Sequence, residues 1–383
     1  MDFTFTEEQQ AAVEAARAVL SGVDPDGVPS PARGRGAVAE DFDRLLWRRL
    51  AAADLLSLTL DPRYGGAGLD PIALCLVLRE AGRVLARVPL LEHCAAALTV
   101  QHHGGAELRQ AVAAGAGRGE RVLTVAAHGR TGHDPAELAV RADHDGATWT
   151  LDGVQTAVPW AQSADDVLLP AHTDTGRTVL ALVPRGQEGM TLEEQTSTSG
   201  ERYARLRLEA VRVTRREVIT ADGAWERLRL LLTTGTCALA LGVGSAVLDL
   251  TSGYTSKREQ FGFPLATFQA VAVQTADRYI DLRAMEATLW QAAWRLSADG
   301  PDTPAVRSGL PLAADVAVAK IWAAEGVRRV VQTAQHLHGG FGAVTDYALH
   351  RYHAWAKQLE LSLGPAAAHE EALGELLATH PLS

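Results

Sequence analysis

The hydrophobic period of this chain changes twice, and no other feature limits its fold as strongly. From Glu7 to about residue 115 apolar residues recur three and four apart, the spacing of helices that bury one face. The Pro/Gly-rich stretch "DPDGVPSPARGRG" (24–36) interrupts that pattern and reads as a surface loop. Between about 120 and 215 the period falls to two. The runs "RVLTVAA", "LAVRAD", "TWTLDG", "DVLLPAH", "TVLALVP" and "ARLRLEAVRV" are short, β-rich and separated by Gly, Asp and Thr. Six such strands make a small barrel or sandwich. After "DGAWERL" the helical period returns over 224–257, 265–298, 313–337 and 346–378, four long segments whose one clear loop is "SADGPDTPAVRSG" (297–309). Four long helices on short links predict a bundle. The organisation expected is α+β: an N-terminal all-α domain over 1–118, a middle β-barrel or sandwich over 119–217 and a C-terminal four-helix bundle over 218–383.

Composition narrows the function. The balance of 36 basic against 46 acidic residues, a net of -10, disfavours nucleic acid as a partner and says nothing about small anions. No uncharged apolar run of about 18 residues is expected, and so no membrane insertion. The start, "MDFTFTEEQQAAVEAARAVL", carries early acids and settles at once into helical spacing, unlike a signal peptide, which places the protein in the cytoplasm. Cys75, Cys94 and Cys237 have no paired spacing and are expected as buried free thiols. His336 with His338, and His350 with His353, lack a carboxylate or thiol at ligand spacing, so no metal site is expected. "LGVGSAV", around Gly242 and Gly244, lies inside a helical pattern with no strand before it. Close helix packing explains it better than a dinucleotide fingerprint.

Two stretches are more specific. "YTSKREQFGFPLATFQAV" (254–271) ends one helix, turns at "GFP" and opens the next with Phe268 and Gln269. An arginine beside an aromatic at such a turn can pair with a phosphate while its neighbour covers an adenine or ribose face. "QTAQHLHGGFGAVTDY" (332–347) stops a long helix at Gly339, Gly340 and Gly342. Glycines there permit backbone approach to a pyrophosphate, and a helix C-cap would also account for one of them. With "FTFTEEQQ" and "LDPRYGGAGLDPIALCLVLREAGRVLARVPL" in the same order and spacing, the chain resembles the acyl-CoA dehydrogenase family over essentially its whole length.

That resemblance implies the three-part fold, a homo-dimer or tetramer, or a hetero-tetramer with a related catalytic chain, and FAD at subunit interfaces. It implies an acyl-CoA or acyl-carrier thioester as substrate and electron-transfer flavoprotein as acceptor. In such enzymes a carboxylate removes the weakly acidic α-proton while the β-hydride goes to the flavin, so the base must be placed with donors aimed at the thioester carbonyl. Counting 24 residues on from Gly339, the family's usual spacing, reaches Leu363, followed by Gly364 and Pro365. The alternative site, 26 residues before Arg258, holds Leu232, with Thr233 beside it. Both usual base positions are apolar, leaving Glu226, Asp346 and Glu360 as displaced candidates.

The flavin contacts divide. The family's tryptophan and threonine against the flavin ring look replaced by Ala157 and Pro159 in "DGVQTAVPW". The covering acid-Pro-Gly stretch has become "AAHGRTGHDP", and the threonine after the base-adjacent glycine is Pro365. Arg258, Phe261, Gln269, Gln335, Gly339 and Gly340 match positions that hold the ADP half of the FAD seated in a neighbouring subunit. Three readings follow: a partner subunit that completes another chain's flavin site, a self-sufficient dehydrogenase with a displaced base, and a family fold repurposed for a non-oxidative reaction on a carrier-bound acyl group.

Overall fold

A computed structural model of the chain describes residues 4–27, 41–130, 139–298 and 310–380. Most of the two loops expected over 24–36 and 297–309, and the second half of "AAHGRTGHDP", lie outside the described residues. The N-terminal part is five helices: α1 (Glu7–Leu20), α2 (Arg44–Ala52), α3 (Pro71–Arg83), α4 (Leu90–His103) and α5 (Ala106–Gly117). Thr6 and Gln9 close a reciprocal capping box on α1, and Asp70 with Pro71 starts α3, the residue types that satisfy or remove orphan N–H groups.

Eight strands follow: β1 (Leu123–Val125), β2 (Val140–His144), β3 (Thr148–Pro159), β4 (Asp166–His172), β5 (Thr178–Pro184), β6 (Met190–Thr196), β7 (Arg202–Thr214) and β8 (Val218–Ile219). They form one mixed sheet in the order β6-β7-β3-β2-β4-β5-β8, with β1 on the β4 edge that β2 also borders. The β3–β7 pair slips register between Leu151 and Gly153 and again between Gln155 and Val158, and such bulges bend a sheet. Strands β6 and β8 were absent from the six expected runs. The alternating inner residues Val140, Ala142, Leu151, Leu206 and Leu208 build the sheet's own apolar core.

The chain returns to helices with α6 (Ala224–Lys257), a short hairpin of β9 (Glu259–Gln260) and β10 (Phe263–Pro264), then α7 (Gln269–Ala298), α8 (Leu312–His338), α9 (Leu349–Leu361) and α10 (Ala366–Thr379). The segment expected as one helix over 346–378 is therefore two. Leu363 takes φ 57° and Gly364 φ 98°, and Pro365 starts α10. A left-handed pair before a proline cannot continue a helix. The expectation of no long uncharged run also needs correction. Helix α6 is long and apolar enough to cross a membrane, but 83% of its most apolar window is buried, so here it is the core helix shared by bundle and N-terminal part.

One apolar core runs through α1, α3, α4, α6, α7 and α8. Its tightest contact joins α3 to α6: a Cβ on Gly82 would lie 2.3 Å from the Leu239 carbonyl oxygen, and one on Gly242 2.1 Å from that of Arg79. Close packing is thus what the "LGVGSAV" glycines provide. His93 ties α4 to the sheet. Its Nε2–H donates to the Ala116 carbonyl (3.0 Å) and its Nδ1 accepts the Leu123 N–H (3.1 Å), and burial pushes its pKa down to about 4, keeping the ring neutral. All three cysteines are buried and unpaired.

Candidate functional site

Five separate parts of the chain wall one pocket of about 860 Å³, mouth included. They are the α3–α4 turn, the stretch after β1, the junction of β3 and β7, the middle of α6 and the end of α9. Leu232 and Leu363, far apart in sequence and both expected at base positions, line this same pocket, 3% and 5% exposed. The end of α9 is firmly held. Fully buried Lys320 donates from Nζ to the carbonyls of Leu359 (3.0 Å) and Glu360 (2.9 Å), and the His369 ring donates from Nε2 to the Leu363 carbonyl (2.9 Å). Burial lowers the Lys320 amine to about 8 and the His369 ring to about 4. These bonds satisfy helix-end carbonyls that would otherwise be orphaned, and they aim Leu363 inward.

The pocket's polar lining is Glu92, His128, Glu201, Tyr203, Thr236, Gln358 and Ser362, and Arg87 lies behind it. Arg87 and Glu201 form a buried two-pronged ion pair at 2.5 and 2.7 Å, joining the α3–α4 turn to the residue just before β7. Tyr203 and His128 line the wall beside it. Burial raises the Tyr203 phenol and lowers the His128 ring to about 4, and His128 Nδ1 is buried without a hydrogen-bond partner among the described residues. Glu92, in the first turn of α4, is the one carboxyl on the wall without a basic partner among them. Burial raises its pKa to about 7. A proton acceptor or donor poised near neutrality in an apolar cleft is what acid–base chemistry or polar ligand selection needs.

The structure places the three displaced candidates elsewhere. Glu226 pairs with Arg229 at 2.8 Å in a separate groove between α6, α8 and α10. Glu360 pairs with Lys357 at 2.6 Å, and Asp346 is exposed in the turn before α9; neither borders the pocket. The residue missed was Glu92. Its signal was there: from Val88 to Val100 it is the one acidic or basic residue, apart from His93, in an apolar run.

A second patch lies at one end of the bundle. Phe261 and Gly262 both take positive φ, 55° and 82°, which turns the β9–β10 hairpin tightly and leaves Phe261 89% exposed. Arg258 and Gln269 flank it, exposed, and the Arg258 guanidinium has no side-chain partner among the described residues. On α6, Tyr254 stacks on His338 at 4.2 Å between ring centroids and on Phe341 at 5.6 Å, which brings Gln335, Gly339 and Gly340 to the same end. Gly339 and Gly340 are open, with nothing within 4 Å of an added Cβ. No residue from Gln269 to Ile280 is buried, and Val273 and Ile280 on these turns are exposed. At the sheet, Ala157 lines an adjoining groove that shares His128, Tyr203, Gln358 and Ser362 with the pocket, its N–H already donated to Gln195 Oε1 (2.9 Å), and Pro159 lies on the pocket wall.

Sequence profiles described as "Acyl-CoA dehydrogenase, N-terminal domain" and "Acyl-CoA dehydrogenase, C-terminal domain" match residues 6–120 and 226–377. The chain is 38% identical over 384 residues to "Acyl-CoA dehydrogenase FadE27" of Mycobacterium tuberculosis, covering all of both chains. It is 28% identical to "Acyl-CoA dehydrogenase FadE28" of the same organism over 98% of each. Among solved structures, a chain of the ChsE4-ChsE5 complex from Mycobacterium tuberculosis superposes with TM-score 0.90 at 35% identity over all of both chains. A chain from a variant of the Tcur3481-Tcur3483 steroid ACAD superposes with TM-score 0.87 at 36% identity, over 97% of this chain and 98% of that one.

Proposed function

The chain belongs to the acyl-CoA dehydrogenase family, and from that premise we propose that it acts as the partner subunit of a heteromeric dehydrogenase, its bundle end completing the FAD site of a related chain that carries the base. An acyl-CoA dehydrogenase-type function and FAD as cofactor come with membership. The observation that supports the finer reading is an asymmetry: leucine stands in one pocket at both positions where the family resemblance expects a base, while the exposed bundle end keeps the residues matched to an ADP grip.

The two ends of a flavin fit this chain differently. Arg258 offers an exposed guanidinium for a phosphate, Phe261 an exposed ring for adenine or ribose, and Gly339 and Gly340 open backbone for a pyrophosphate. The ring end is not provided for. Ala157, Pro159 and Pro365 offer neither an indole to lie against the ring nor a hydroxyl to bond it, and the Ala157 N–H is already taken. FAD supplies the redox chemistry of this family when bound, and the residues of this chain orient its ADP end from across the interface. The names of the two similar complexes, each a pair of chains, support a heteromer, and the words "steroid ACAD" support a steroid-derived acyl thioester as the substrate of the assembly. Electron-transfer flavoprotein is the proposed acceptor.

The visible spectrum and mass of the purified chain, alone and mixed with a related base-carrying chain, test this reading. A colourless chain that yields a yellow, active complex on mixing is expected. Stoichiometric flavin in the chain alone, bleached by an acyl-CoA, overturns the subunit reading. It would favour a self-sufficient enzyme, for which Glu92 on the pocket wall is the proton acceptor the geometry offers.

A further inference from the structure

The pocket behind Leu232 and Leu363 remains a built cavity even though it lacks the usual base. Its walls are Leu78, Ala81, Val88, Leu91, Leu239 and their neighbours, an apolar lining that favours an apolar occupant. Of the polar groups that line it, the Glu92 carboxyl has no basic partner among the described residues and the Nδ1 of His128 is buried without a hydrogen bond, while Tyr203, Thr236, Gln358 and Ser362 also border the space. Tyr203, Glu92 and Glu201 line the same pocket, and both carboxylates help raise the Tyr203 phenol. The Glu201 charge is answered by Arg87, whereas the Glu92 carboxyl has no basic group beside it.

We infer that this pocket binds an uncharged, largely aliphatic ligand carrying one hydroxyl, with Glu92 as the residue that selects it. The hydroxyl can donate to the ionised carboxyl or accept from its protonated form, so Glu92 bonds it on either side of its own titration. A ligand carboxylate at the same place would bring a second negative charge to a desolvated one, and like charges in a low-dielectric cleft repel strongly. A plain hydrocarbon would leave the Glu92 carboxyl with only its own backbone N–H and the His128 Nδ1 with nothing, so their desolvation is not repaid as it is by a hydroxyl. The ligand class follows from these polar groups and does not depend on whether this chain carries a flavin.

Isothermal titration of the full chain at pH 8 with 1-octanol and with octanoate tests it. Wild type should bind 1-octanol at least tenfold more tightly than octanoate. Glu92→Gln should keep 1-octanol within about threefold and close most of the gap to octanoate, since the amide still bonds a hydroxyl and no longer repels a carboxylate. Glu92→Leu should weaken 1-octanol at least tenfold. Equal binding of the two probes to wild type, no binding of 1-octanol, or a Glu92→Gln chain that still rejects octanoate overturns the inference. Circular dichroism of each variant confirms that the folded chain is being titrated. Flavin content is not read in this experiment, so its failure and that of the subunit reading are separate.

Discussion

At Glu92 the selectivity proposed for the pocket becomes testable through stability as well as binding. A carboxyl whose pKa rises on folding from 4.5 to about 7 binds more protons in the native state than in the unfolded one. Stability therefore falls as pH climbs through that window and stays at the lower value above it. Glu92→Gln removes this loss. The stability gap between variant and wild type should widen from pH 5 to pH 8 until the variant is the more stable by roughly 1–3 kcal/mol, read from urea midpoints. A gap that does not change with pH would mean that the carboxyl is well solvated. His93 titrates in the opposite sense: with its pKa held at about 4, the native state resists protonation, so stability falls as pH drops from about 6.5 toward 4. Comparing variant with wild type at each pH cancels that contribution.

At the scale of elements, the α3–α6 contact decides how close the N-terminal helices lie to the bundle. Gly242→Ala would place a Cβ 2.1 Å from the Arg79 carbonyl oxygen, and backbone cannot yield as a side chain can. The variant should lose roughly 2–3 kcal/mol in denaturant unfolding, whereas Gly253→Ala, where an added Cβ meets nothing within 4 Å on the same helix, should be neutral or slightly stabilising. Long helices such as α6 and α8 were legible because thirty or so residues of apolar spacing leave little choice of structure. Strand β6 was not, because "MTLEEQT" pairs with β7 through its backbone and has no buried residue to mark a period. The break between α9 and α10 was half legible. "GP" at 364–365 is a stop signal, but the left-handed turn at Leu363 depends on Lys320 and His369 holding the carbonyls around it. The pocket was legible at its two leucines and hidden at Glu92, since helical spacing alone cannot show which distant elements cover a residue.

For the whole molecule, the bundle end presents a surface that water does not suit. Phe261, Phe263, Val273 and Ile280 are 89%, 62%, 53% and 62% exposed, and α7 runs from Gln269 to Ile280 without one buried position. Exposed apolar patches of this kind mark association sites, and a like surface across a two-fold is the usual way to cover them. Assembly and flavin binding should then separate by residue. Ile280→Asp places a charge in the apolar face and should leave a folded monomer by light scattering, unable to assemble with a base-carrying partner. Arg258→Ala removes the proposed phosphate contact while leaving the apolar face intact, so the complex should still form but hold flavin at least tenfold more weakly, a loss of about 1.5–3 kcal/mol for a charge-assisted pair. If Arg258→Ala leaves flavin affinity of the complex unchanged, the bundle end is an interface and no more. If it releases the flavin without dissociating the subunits, the bundle end of this chain contributes to its partner's cofactor site, as the subunit reading proposes.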